Sequence, residues 1–162
     1  MSLLRVDSPL MASWTERHLV NRAVRLGLRL GRDIDGLQVL EVRGRRTGKQ
    51  RRTPVKILEV DGQRYVVSLS GSSGWVCNLR VSQKARLRFG RRVEDVVMIE
   101  IPDRDKPPVV RTYLTAATRP ETRRRLEWAA DGVPEAEVQR QAARYPVFRV
   151  TGTPDTGPDP AA

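Results

Sequence analysis

Cysteine and histidine are almost absent from this 162-residue chain: Cys77 and His18 are each the single representative of their kind. One cysteine excludes an internal disulfide and a CxxC redox pair, and one of each does not make the usual zinc constellations, so no metal ligand is assigned. Lysine is scarce as well, standing only at 49, 56, 84 and 106, so that nearly all of the 30 basic residues are arginine. Aromatics are limited to three Trp, three Tyr and two Phe. None interleaves with the main basic run as base stacking would favour, so a nucleic-acid-binding barrel ranks last and no nucleic-acid partner is expected. No apolar run approaches the roughly 20 residues that span a bilayer, and the N-terminus lacks the apolar core of a signal peptide. A cytoplasmic protein is the expectation.

What the chain has in excess is positive charge. Against 30 basic residues stand 19 acidic ones, a formal net charge of +11, and an anionic partner is expected. The length suits one domain with a real core. Its expected bounds are an N-terminal arm over 1–12, a folded domain over 13–150, and a disordered tail over 151–162 that holds three prolines, two glycines and little apolar content.

Residues 13–32 carry a helical pattern, with Val20, Val24 and Leu28 on one line and His18, Arg22, Arg25, Arg29 and Arg32 in a basic stripe opposite. Such a stripe is either a solvated face or, with Trp14 at one end, a peripheral contact with anionic lipid headgroups. Strand signals follow at 37–42, 53–60 and 64–69, the last two joined by an Asp61-Gly62 turn. A second hairpin is predicted from 84–89 and 92–101 around Gly90-Arg91, and Val96 to Met98 reads as covered on both faces. Short helices are predicted over 109–117, behind Pro107-Pro108, and over 121–130 and 134–144, with a closing strand at 145–150. The fold class is therefore α+β: a small barrel of about six mostly antiparallel strands with an N-terminal amphipathic helix and short C-terminal helices.

The densest chemical signal is Arg43 to Pro54, where six cations surround Gly44 and Gly48. Glycines let the backbone approach a ligand, Thr47 adds a hydroxyl donor, and guanidiniums supply bidentate phosphate geometry. The glycine spacing is not that of a P-loop, and no helix follows, which disfavours nucleotide hydrolysis. A second constellation, Ser68 to Arg80, begins at a strand end and enters a turn or two of helix. Its small residues leave room for a planar ligand, Trp75 offers a flat wall and Asn78 an amide.

Together the two segments resemble the deazaflavin-dependent nitroreductases and quinone reductases, which bind coenzyme F420 on a split β-barrel. The pattern stands here as Gly44-Arg45-Arg46-Thr47-Gly48-Lys49-Gln50-Arg51-Arg52-Thr53-Pro54, then Asp61-Gly62, the small residues Ser68 to Gly74, and Trp75-Val76-Cys77-Asn78-Leu79. The resemblance spans 15–150. It implies a split barrel in which Arg45, Arg46, Thr47, Gly48, Lys49 and Arg51 hold the cofactor phosphate and acidic tail. It further implies that Pro54, Ser68, Ser70, Gly74, Trp75, Asn78 and Leu79 line the deazaflavin ring. A hydride would pass to a quinone, nitroaromatic or conjugated enone, with Ser70, Ser72, Tyr113 and Tyr145 as candidate donors to the acceptor. FMN or another flavin or tetrapyrrole is the alternative ligand, since an arginine cradle distinguishes their acidic groups poorly. A homodimer is a further implication of the resemblance.

Overall fold

The computed structural model describes residues 36–117 and 120–152. The amphipathic segment 13–32, the arm 1–12 and residues 153–162 of the expected tail lie outside the described residues.

Seven strands form one sheet in the order β2-β1-β5-β6-β7-β4-β3, and every neighbouring pair is antiparallel. The strands are β1 (Leu37–Arg43), β2 (Gln50–Lys56), β3 (Leu58–Val60), β4 (Gln63–Val67), β5 (Lys84–Phe89), β6 (Arg92–Glu100) and β7 (Val147–Gly152). The sheet curls until β2 meets β4 across the gap, giving a split barrel. The helices are α1 (Gly74–Ser82), α2 (Lys106–Thr115), α3 (Pro120–Arg125) and α4 (Glu135–Ala142), with 3-10 turns at Asp103–Asp105 and Glu127–Ala129.

The segment expected as one strand over 53–60 is two. β2 pairs with β1 and β3 pairs with β4, and between them Ile57 leaves both ladders to donate its N–H to the Gly36 carbonyl at 3.3 Å. That change of partner raises the strand count from six to seven. The helix expected over 121–130 ends at Arg125 and continues as a 3-10 turn, and β7 runs two residues past 150.

Period-two alternation sorts the side chains. Leu40 and Val42 of β1 and Val55 of β2 point into the curl with Leu87, Met98 and Phe148, all buried. α1 closes this core with Val76 and Leu79, which are fully buried. Each such side chain contributes about 1.5–3 kcal/mol on leaving water. A second core lies where α2 to α4 cover β3, β4 and β7, around Val67, Val110, Leu126 and Val147. α2 begins at the residue before Pro107-Pro108, where missing backbone donors cost nothing.

Candidate functional site

The inner face of the β1–β2 hairpin changes character along its length. In register, Leu40 faces Thr53 and Val42 faces Arg51. Val55 lies in the core, Thr53 comes next on the same face, and Arg51 follows near the open end. The strand thus passes from apolar to hydroxyl to cation as it leaves the core.

The hairpin tip is a six-residue loop, Gly44 to Lys49, held by its own backbone. The Gly44 N–H donates to the Lys49 carbonyl and the Gly48 N–H to the Gly44 carbonyl, both at 2.8 Å. Arg43 Nε donates to the Gly48 carbonyl at 3.2 Å. Gly48 has φ of +67°, a left-handed conformation that suits glycine. A Cβ on Gly44 would stand 3.0 Å from the Lys49 carbonyl and 3.3 Å from Thr47 Oγ1, so a side chain there would press the loop open.

α1 meets this loop from the other motif. Asn78 is 5% exposed, and its Oδ1 accepts from the Arg45 backbone N–H at 3.1 Å and from the Arg45 guanidinium at 3.2 Å. Trp75, one turn earlier, lies against Phe148 with ring centroids 5.7 Å apart. Before the helix, the loop Ser68 to Ser73 is laced by hydroxyls. Ser68 Oγ donates to the Ser70 carbonyl at 2.8 Å, and the Ser70 and Ser72 hydroxyls are 3.1 Å apart. Arg125 of α3 donates to the Leu69 carbonyl at 2.9 Å, and Arg80 to the Gly71 carbonyl at 3.5 Å.

These parts enclose a cavity of about 460 Å³ lined by Val42, Gly44, Arg45, Arg46, Thr47, Arg51, Thr53, Gly74, Trp75 and Asn78. Its size falls within the ordinary range for small-molecule sites. No carboxylate among the described residues pairs with Arg45, Arg46 or Arg51. The cavity is therefore lined by three guanidiniums with no carboxylate partner among the described residues and by the Trp75 ring. No group of side chains among the described residues could hold a metal ion.

Of the residues expected at the site, Arg45, Arg46, Thr47, Arg51, Gly74, Trp75 and Asn78 come together around this cavity, and Val42, Gly44 and Thr53 join them. Gly48 and Lys49 complete the loop without lining the cavity. Pro54 pairs with Val39 on the face of the hairpin turned away from the cavity, Ser68 is buried, and Leu79 belongs to the core. Ser70 and Ser72 stand in the loop that leads to Gly74. Tyr113 and Tyr145 pack in the helix-side core, Tyr145 stacked on Trp128 with centroids 5.4 Å apart. Val42 and Thr53 could have been found from alternation, since each is two residues from a neighbour on the same face.

Residues 14–128 match the model of a family described as F420H(2)-dependent quinone reductase. No curated protein matches the chain. Among solved structures, a pyridoxamine 5'-phosphate oxidase-like protein from Listeria innocua shares 9% identity over 74% of this chain and 85% of its own, with a TM-score of 0.50. A protein of unknown function from Agrobacterium tumefaciens str. C58 shares 13% identity over 93% of this chain and 59% of its own, also with a TM-score of 0.50. These likenesses concern the fold. An F420-H2 dependent reductase is 23% identical over 72% of this chain and 94% of its own, with a TM-score of 0.41. No helix among the described residues is long and apolar enough to cross a membrane.

Proposed function

The chain belongs to the F420H(2)-dependent quinone reductase family, and from that premise we propose that this F420-dependent oxidoreductase reduces a quinone or a similarly electron-poor conjugated acceptor in the cavity beside Trp75. The cofactor is coenzyme F420, which supplies a hydride when reduced.

The observation that carries the reading is the set of three guanidiniums with no carboxylate partner among the described residues, Arg45, Arg46 and Arg51, at a cavity that an aromatic ring also lines. A deazaflavin bearing a phosphate and an acidic tail needs both. Arg46 and Arg51 bind the phosphate by charge-assisted hydrogen bonds, and the Thr47 hydroxyl donates a further one. Arg45, pinned by Asn78, holds its backbone and its charge at the rim. Trp75 covers the flat ring and excludes water, and Gly74, where an added Cβ would meet nothing within 4 Å, leaves the ring room. The acceptor gains negative charge as it is reduced, and the Ser70 and Ser72 hydroxyls, in the loop that leads to Gly74, would donate to it. Tyr113 and Tyr145 support the helix-side core.

The test is a fluorescence titration of the protein with oxidised F420 and, separately, FMN. Wild type is expected to bind F420 the more tightly. Arg46→Ala and Arg51→Ala should each weaken F420 by about 10- to 100-fold, the worth of a hydrogen bond to a charged group. Unchanged affinity in both variants would remove the anion cradle from the account, and a quinone screen with F420H2 then decides the acceptor.

A further inference from the structure

Glu41 takes no part in the scheme above, yet its carboxylate is the most enclosed charge of the described sheet, with a side chain 0% exposed. It lies on the outer face of β1, between Leu40 and Val42, which point inward. Directly opposite in register stand Arg52 on β2 and Arg86 on β5. Arg52 Nε lies 2.9 Å from Oε1, Arg88 Nε 3.2 Å from the same oxygen, and Arg86 3.2 Å from Oε2. Gln50 Nε2 donates to Oε2 at 3.0 Å. Three hydrogen bonds, from Arg52, Gln50 and Arg88, and the ion pair with Arg86 thus converge on one carboxylate from the strands on either side. Without it, Arg52 on β2 and Arg86 and Arg88 on β5 would be left around β1 with no acid between them, and like charges repel.

The cluster is the reverse side of the cofactor hairpin. Arg52 sits between Arg51 and Thr53, and Glu41 next to Val42; all three of those neighbours line the cavity from the opposite face. How β2 is seated on β1 at the 41–52 pair therefore sets where Arg51 and the loop carrying Arg46 aim. We propose that Glu41 is a positioning residue for the anion cradle: by clamping β2 and β5 to β1 from behind, it holds the arginines of the inner face on the phosphate of the cofactor. This rests on the assignment of the cavity to F420.

The experiment titrates wild type and Glu41→Gln, by fluorescence, with oxidised F420 and with the corresponding deazaflavin that lacks phosphate and acidic tail, and follows folding by circular dichroism. Glu41→Gln is expected to lower F420 affinity by about tenfold, or 1.4 kcal/mol, and to leave the phosphate-free deazaflavin within about twofold of wild type. A purely structural carboxylate would weaken both ligands alike, and that result overturns the proposal, as does an unchanged F420 affinity. If Glu41→Gln does not fold, Arg52→Gln, which removes the charged one of the two β2 contacts to Glu41 and retains a donor, is judged by the same two affinities. Wild type that binds neither ligand overturns the cavity assignment itself and this proposal with it, a result distinct from a Glu41 variant that matches a binding wild type.

Discussion

Asn78 accepts two hydrogen bonds from Arg45, one from its backbone N–H at 3.1 Å and one from its guanidinium at 3.2 Å. The pair joins the basic loop to the first turns of α1 across 33 residues of sequence. It makes one site of two motifs, because a buried amide oxygen that is fully used fixes the orientation of both its own helix and the loop it grips.

Removing that acceptor should separate binding from folding. Asn78→Ala is expected to cost about 1 kcal/mol of stability and to weaken F420, since Arg45 loses its anchor. Asn78→Asp retains an acceptor and pairs with Arg45, so its stability should stay near wild type, while the new negative charge repels the cofactor phosphate. Urea midpoints and F420 titrations of the two variants check this; an Asn78→Asp protein that binds F420 as wild type does would contradict it.

Two glycines of the cavity should respond oppositely to the same change. Gly44→Ala forces a Cβ to 3.0 Å from a backbone carbonyl, and the loop must open at a cost of about 1–3 kcal/mol, the range for overpacking. At Gly74, in the first turn of α1, an added Cβ meets nothing within 4 Å, so Gly74→Ala should gain about 0.5–1 kcal/mol from a less flexible unfolded chain. Larger residues there should keep stability and exclude the ligand. Thermal melts and titrations of Gly44→Ala, Gly74→Ala and Gly74→Leu distinguish the three outcomes.

Acid should loosen the frame around the site through two bidentate pairs. Hydrogen bonds from Arg64 hold the Glu94 carboxyl below the ordinary carboxylate range, and those from Arg80 do the same for Glu100. The arginines shift upward correspondingly. A carboxyl whose native pKa is lowered stabilises the fold above its unfolded value, about 4.3, and that contribution is lost as pH falls through the native value. Glu100→Gln should therefore flatten the fall in urea midpoint between about pH 5 and pH 3. An unaltered slope would show that Arg80 does not act through Glu100. Both pairs are partly exposed, so the effect should shrink in high salt.

Hydroxyl donors can be told apart by position. Tyr145→Phe keeps the stack on Trp128 and Tyr113→Phe keeps the ring in the helix-side core, so quinone turnover with F420H2 should stay within about twofold of wild type. Ser70→Ala with Ser72→Ala should lower it by about tenfold or more, as loss of a donor to a developing anion does. Equal effects from the two sets would overturn the role of the serines as donors.

Much of this was legible in the residues. The strands of both predicted hairpins and the closing strand announce themselves by alternation and by Asp61-Gly62 and Gly90-Arg91, because turn chemistry and side-chain period are local properties. The clustering of glycine with arginine marks the anion loop for the same reason. Less visible were Val42 and Thr53, ordinary strand residues that become cavity wall only because β1 and β2 leave the core together. Glu41 was invisible: a lone acid in Leu-Gln-Val-Leu-Glu-Val-Arg looks like a solvated outer position. The break at Ile57 lies in a run with no glycine or new proline to signal it, and results from a change of pairing partner.

By itself, then, the amino-acid order determined the local elements, the cationic loop and the family, since propensity, turn geometry and motif spacing are written within short windows of chain. Only the tertiary structure decided that Asn78 would seize Arg45, that three arginines from two strands would close on Glu41, and that the tyrosines would lie in the helix-side core. Those outcomes depend on register between strands far apart in sequence, where a slip of one residue would turn every side chain to the other face.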